Sequence, residues 1–290
     1  MTGPRRGRGE SSASVRRSVL LLISAMLPCT LGAGTAAAAE LPPPPAHVVI
    51  VIDENKTLAQ IAGSPHAPVL NRLIARGALF TDAHGVTHPS LPNYFALFSG
   101  RTNTNGDGCP ATGIPADAPN LATQMFGLGK TFTGYAEAMP SVGFRGCWAG
   151  TYARKHVPWV QFTNVPAADS RPLADLTSYD RLGTLAMIVP DVEDDMHDGT
   201  IAQGDAWAAH WLAPLVAWAD RNDALVVVTW DEGYDPRNDI PTFFLGPMVK
   251  PGRYPERVDH YRVLRTIEAL YRLPPLGAAA RTTPITDCWR

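Results

Sequence analysis

Two apolar runs constrain this chain more than anything else in it: His47 to Ile52 (HVVIVI) and Leu225 to Trp230 (LVVVTW). Neither alternates between apolar and polar residues, so each reads as a strand buried on both faces, as in a helix-covered sheet. Each also stops abruptly at oxygen donors, Asp53-Glu54-Asn55 after the first and Asp231-Glu232 after the second. Residues just past a buried strand lie at its carboxyl end, the edge where open α/β sheets bind ligands. The expected fold class is therefore α/β, with two acidic groups delivered to the functional edge.

The segments between and after these runs fit that class. Ala67 to Arg76 carries Leu70, Leu73 and Ile74 at helical spacing, with Gly77 as the stop, and a short strand through Phe80 follows. Ser90 is read as the N-cap of a helix from Leu91 to about Ser99, because Pro92 falls in the first turn, where its missing N–H costs no bond. Thr131 to Ala138 and Thr242 to Leu245 read as strands, and Asp259 to Tyr271 as a closing helix with an apolar stripe of Leu264, Ile267 and Leu270. Gln203 to Trp218 is amphipathic through Trp207, Trp211, Leu215 and Trp218, and Pro214 should kink it.

The beginning of the chain has a different character. Arg5, Arg6, Arg8, Arg16 and Arg17 precede an apolar run from Val19 to Ala33, and Ala37-Ala38-Ala39 supplies small residues for cleavage. That is the pattern of a signal peptide over residues 1–39, followed by a proline-rich tether at 40–46 and one domain at 47–290. Ser24, Pro28 and Thr30 interrupt the run, so it does not make a transmembrane anchor, which needs ~20 apolar residues. A lipid anchor on Cys29 is the competing reading, poorly served by Pro28, and Arg16-Arg17 also suits a twin-arginine export route. The expected location is secreted, extracellular or periplasmic.

Without the peptide the chain keeps 20 basic and 26 acidic side chains, a net charge of −6. No basic stripe exists to neutralise a phosphate backbone, so nucleic acid is set aside as a partner. Cys109, Cys147 and Cys288 allow at most one internal bridge. Cys109 with Cys147 is the expected pair, since both lie in glycine-rich loop sequence, and closing that loop would stabilise by roughly 4 kcal/mol in the chain-entropy model. Cys288 is left free or pairing between chains.

The chemistry gathers at three places. Glu54, Asn55, Asp231 and Glu232 are hard oxygen donors, which suit one divalent ion of the Mg²⁺, Ca²⁺ or Mn²⁺ kind better than a tetrahedral zinc. Ser90 stands at a helix start, where free N–H groups and the helix dipole favour a phosphate, and a metal at its oxygen would activate it. His88, His156 and His197 sit in polar loop sequence and could donate protons or bind phosphate, whereas His47, His66, His84 and His210 read as structural or surface residues. His260, at the start of the last helix, is a possible supporting residue for the site.

Taken together, His47–Asn55, Thr87–Tyr94, Tyr152–Pro158, Asp195–Trp207 and Val226–Gly233 resemble the bacterial phosphoesterase family that contains acid phosphatases and phospholipases C. The resemblance runs from His47 to Trp289 in one order. It implies an alkaline-phosphatase-like fold, a mostly parallel central sheet with helices on both faces. It also implies Glu54 and Asn55 as the first metal-ligand pair, Ser90 as nucleophile and metal ligand, and Asp231 with Glu232 as the later acidic pair. Other members often carry two aspartates there, so Glu232 keeps the charge and changes the reach. By the same resemblance His156 and His197 divide the tasks of phosphate binder and leaving-group acid. His88, Asn93 and Asp195 are expected at the substrate. The Cys109 and Cys147 positions match as well.

The implied activity is a phosphomonoesterase working through a phosphoserine, with phosphomonoesters, including phosphoinositide headgroups, as partners. A phospholipase C-type phosphodiesterase shares fold and metal site and is the nearest alternative, although such enzymes are usually longer. A sulfatase would place arginine where Tyr94 stands, and a serine esterase would need a Gly-x-Ser-x-Gly elbow in place of the prolines flanking Ser90. A secreted binding protein with a decayed site is the alternative outside catalysis, and the full donor set argues against it.

Overall fold

Strand β1 (His47–Asp53) and strand β8 (Ala224–Trp230) lie side by side and parallel, so the two apolar runs form the middle of the sheet. The structure, a computed structural model, describes residues 41–290. The signal-peptide reading falls outside the described residues. From β1 the chain continues through α1 (Leu58–Ile61), α2 (Pro68–Arg76), β2 (Ala78–His84), α3 (Ser90–Ser99), α4 (Leu121–Gly127) and β3 (Phe132–Ala136). A two-stranded hairpin, β4 (Trp148–Ala149) and β5 (Tyr152–Ala153), is followed by β6 (Ser170–Pro172) and β7 (Leu185–Val189). After α5 (Ile201–Trp207) and α6 (Ala213–Ala219) come β8, β9 (Thr242–Leu245), β10 (Gly252–Asp259) and α7 (His260–Leu270).

Eight of the strands form one sheet in the order β10-β2-β9-β8-β1-β7-β3-β6. Only β9 runs antiparallel to its neighbours, so the sheet is mostly parallel, with helices around it. Val48 to Ile52 and Leu225 to Val228 are fully buried, which is why neither run needed polar alternation. Strands β7 and β10 were not evident from the pattern. The first is a short buried run, LAMIV. The second is mostly exposed and contains Pro255, which a strand at the sheet's edge tolerates.

Two helices differ from expectation in informative ways. Ser90 is the first residue of α3 and Pro89 is its N-cap, so the serine hydroxyl is free of capping duty. The N–H of Leu91 is instead bonded by the Asp107 carboxylate at 2.9 Å. The amphipathic stretch before β8 breaks as Pro214 requires: α5 and α6 are joined by a π-helical turn over Ala208–Leu212. Proline removes one donor from the ladder, and the wider turn absorbs the mismatch.

Other loops are tied down. The proline-rich stretch lies against the domain, with Pro45 buried and its carbonyl accepting from the Tyr271 hydroxyl at 2.8 Å. His84, read as structural, is buried where β2 ends, its ring nitrogens 2.9 Å from Asp82 and 3.1 Å from Asp239. Cys109 and Cys147 form the expected disulfide across 38 residues, and Cys288 is free and buried, so that burial pushes its thiol pKa up. Among the described residues, no helix is long and apolar enough to cross a membrane.

Candidate active site

Because β1 and β8 are parallel neighbours in register from His47/Ala224 to Asp53/Trp230, the residues after them emerge together at the carboxyl edge. The backbone staples them: Asp231 N–H donates to the Asp53 carbonyl at 2.9 Å, and Asn55 N–H donates to Asp231 Oδ1 at 3.0 Å. Asn55 takes a left-handed backbone conformation, one that asparagine tolerates better than most residues. On the other side of β1 the loop after β7 closes in, where Glu54 N–H donates to the Asp195 carbonyl at 2.8 Å.

Helix α3 brings the nucleophile candidate to this edge. Ser90 Oγ donates to Glu54 Oε2 at 2.9 Å, and one turn later Tyr94 Oη donates to Glu54 Oε1 at 2.6 Å. The i, i+4 spacing puts both hydroxyls on one face of the helix, so a single carboxylate is gripped at both oxygens. In the sequence Tyr94 marks only the place where a sulfatase would carry arginine. Its spacing from Ser90 was the signal that could have found it.

The histidines take different stations. His156 is sealed in: its ring stacks on Tyr94 at 5.5 Å, and its nitrogens lie 3.1 Å from Glu54 Oε1 and 2.8 Å from Asp195 Oδ2. Neither approach is aligned as a hydrogen bond, so both nitrogens and Asp195 Oδ2 have no hydrogen-bond partner. Burial, then the neighbouring Lys155 and His197, holds its pKa well below the usual histidine value. His197 is only partly buried and places Nδ1 2.7 Å from Asp198 Oδ1. His88 stands on the rim, half exposed, with Nδ1 2.5 Å from Glu232 Oε2 and its ring against the exposed Tyr234. His260 sits behind the site, Nε2 2.9 Å from the carbonyl of Trp230, the residue before Asp231.

Asn93 is placed differently from expectation. Its Oδ1 accepts from the N–H groups of Val86 and Thr87, and its amide donates to the carbonyls of Thr87 and Pro89. All its bonding positions are spent on the loop that carries His88, so Asn93 braces that loop and has nothing left for a substrate.

Crowding these acids together has an electrostatic consequence. Burial, then repulsion from Asp231 and Asp195, raises the Glu54 pKa well above the ordinary carboxylate range. Burial also lifts Asp195 well above it. Asp231 is raised to about 7, by burial first and then by Glu232. Glu232 itself rises to about 7 through burial and then Asp107. A divalent cation among them would reverse that preference for the neutral forms.

The donor set fits such an ion. Asn55 Oδ1 and Asp231 Oδ2 are buried oxygens without any hydrogen-bond partner, beside the doubly gripped Glu54. A buried, unpaired oxygen is costly until a hydrogen-bond donor or a cation meets it. Glu54, His156 and His197 also bring one ligand atom each within 4.8 Å of the others.

Comparison with known proteins identifies relatives of the chain. The model of the Phosphoesterase family matches residues 64–274. Over 278 residues the chain is 46% identical to a phosphatidylinositol-3-phosphatase of Mycobacterium tuberculosis, covering 93% of this chain and 92% of that protein. It is 32% identical over 231 residues to an acid phosphatase of Aspergillus fumigatus, covering 71% of this chain and 51% of the fungal one. Among solved structures, an alkaline phosphatase superfamily protein from Vibrio parahaemolyticus superposes with a TM-score of 0.58 at 13% identity, covering 86% of this chain and 72% of that one. The lipoteichoic acid synthase LtaP of Listeria monocytogenes does so at 0.54 and 12%, covering 79% and 72%.

Proposed function

We propose that this chain, which belongs to the Phosphoesterase family, is a phosphomonoester hydrolase that uses Ser90 as its nucleophile and takes phosphoinositide headgroups among its substrates. The observation that carries the reading is the Ser90 hydroxyl, buried at a helix start and bonded at 2.9 Å to a carboxylate that is itself flanked by unpaired oxygens. Glu54, Asn55, Asp231, Glu232 and the Ser90 oxygen would hold one divalent ion, Mg²⁺, Ca²⁺ or Mn²⁺. Bound there, it supplies positive charge that lowers the pKa of the serine and offsets the charge of the phosphate.

The chain's own groups account for the rest of the reaction. Ser90 Oγ, delivering its proton to Glu54 Oε2, attacks phosphorus, and the bond from phosphorus to the leaving alcohol oxygen breaks, leaving a phosphoserine. Tyr94 keeps Glu54 from swinging away as it takes that proton. Of the two histidines, His197 is the one with access to a leaving group, since His156 is enclosed by Tyr94, Glu54 and Asp195. Water then attacks the phosphoserine and gives a proton to His197, replacing the one His197 gave the leaving alcohol; inorganic phosphate departs, and Glu54 returns its proton to Ser90 Oγ. The identity with the mycobacterial protein supports a phosphoinositide headgroup as substrate. The net charge of −6 expected without residues 1–39 offers no bulk attraction to an anionic membrane, so contact would come from local groups.

The test is phosphate release from p-nitrophenyl phosphate and from phosphatidylinositol 3-phosphate, by the wild type and by Ser90→Ala. The variant is expected to fold and to lose nearly all turnover. Retention of more than about a tenth of the rate, a loss of only ~1.4 kcal/mol, would refute the covalent role. Hydrolysis of small monoesters without the lipid would leave a general phosphatase.

A further inference from the structure

We infer that Lys155 is the residue that grips the phosphoryl oxygens of the substrate, and that Asp107 is the counter-ion it leaves to do so. The inference rests on the phosphatase reading above and concerns two residues outside the set already assigned. Lys155 lies in the 3-10 turn Arg154–His156, immediately before the enclosed histidine, and its side chain is only 13% exposed. Its ammonium reaches Asp107 Oδ2 at 3.0 Å and His197 Nε2 at 3.0 Å. Other cations nearby are engaged elsewhere: Lys56 donates to the carbonyl of Met196, and Arg154 to Gln161 and the Arg145 carbonyl.

Asp107 makes the case specific. One of its oxygens accepts the N–H of Leu91, the residue after Ser90, and the other accepts from Lys155. Its carboxylate is therefore bonded to a helix-start N–H beside the nucleophile and to an ammonium beside the site, two donors suited to a phosphoryl group. Asp107 is 29% exposed and sits between Gly106 and Gly108, so it can give way to an incoming dianion and be solvated. With Nδ1 facing Asp198, Nε2 is the acceptor for Lys155, so a lysine drawn to phosphate uncovers that nitrogen.

The experiment measures inorganic phosphate as a competitive inhibitor of p-nitrophenyl phosphate hydrolysis by the wild type, Lys155→Met, Lys155→Arg and Asp107→Asn. Losing a charge-assisted bond to phosphate predicts that Lys155→Met raises both the phosphate Ki and KM about 10- to 150-fold, and that Lys155→Arg recovers part of it. Asp107→Asn keeps a cap for Leu91 and frees the lysine, so it should tighten phosphate inhibition. A Ki for Lys155→Met within about threefold of wild type overturns the inference, as does weaker or unchanged inhibition in folded Asp107→Asn. Should Lys155→Met fail to fold, Asp107→Asn alone decides. Calorimetric binding of inorganic phosphate separates the two readings: a wild type that hydrolyses no monoester sinks the phosphatase reading, while phosphate affinities across the variants still judge Lys155.

Discussion

Replacing Tyr94 by phenylalanine removes one oxygen from a fully buried grip on Glu54. The Tyr94 hydroxyl donates to Glu54 Oε1 over 2.6 Å, and the Ser90 hydroxyl takes the other oxygen. A hydrogen bond to a charged group contributes about 1.5–3 kcal/mol. After the substitution only His156 Nε2 faces that oxygen, at 3.1 Å and out of line. The ring and its stacking on His156 are retained, so the packing loss is small. If the bond holds Glu54 in place for Ser90, kcat/KM should fall about 10- to 150-fold. The concentration of divalent ion giving half-maximal activity should rise as well. Phosphate release from p-nitrophenyl phosphate, titrated with metal, measures both quantities, and thermal unfolding reports the fold. Activity within threefold of wild type, with an unchanged metal requirement, would show that Tyr94 only fills space.

Three further outcomes are expected. Chelation should abolish activity, and Asp231→Asn should weaken metal affinity more than it lowers Tm; full activity in protein shown metal-free by elemental analysis contradicts this. Replacing Cys109 and Cys147 by serine removes a closed loop worth roughly 4 kcal/mol, about 8–16 °C in Tm for a domain of this size, and a differential scan showing no shift would refute the estimate. Glu268 is fully buried, accepts the Leu276 N–H at 2.6 Å and has its pKa raised to about 7, by burial first. Its neutral form is the one the fold favours, so its contribution is complete below about pH 4 and is lost as pH rises through 7, a cost of about 3 kcal/mol. Glu268→Gln should accordingly gain stability relative to wild type between pH 5 and pH 8, and parallel unfolding profiles would disprove it.

The central strands were legible because burial on both faces leaves an unmistakable run of β-branched residues, and the acids that end them were conspicuous for the same reason. What the linear pattern could not carry is side-chain aim. His156 has Arg154 and Lys155 before it and reads as an exposed basic loop, yet the turn points it inward onto Tyr94. Asn93 lies in the motif that holds Ser90, yet its amide is consumed by the turn before the helix. Asp107 and Lys155 are 48 residues apart and meet only because a loop and a hairpin, bridged by a disulfide, converge on the start of α3. Neither residue belongs to a periodic element, so no spacing rule reaches them.

Glu232 ties the rim of the site to its floor. It has one more methylene than an aspartate would, and the structure places its Oε2 against His88 at 2.5 Å. His88 lies on the loop that Asn93 braces, two residues before Ser90, and its ring leans on Tyr234, which follows the acidic pair. The longer side chain thus links the end of β8 to the approach to α3 across the mouth. Asp231, one residue earlier, keeps one oxygen on the Asn55 N–H and leaves the other unpaired in the interior. Asp231 therefore serves the buried oxygen cluster, while Glu232 spends one oxygen on His88 at the entrance and keeps the other for the ion.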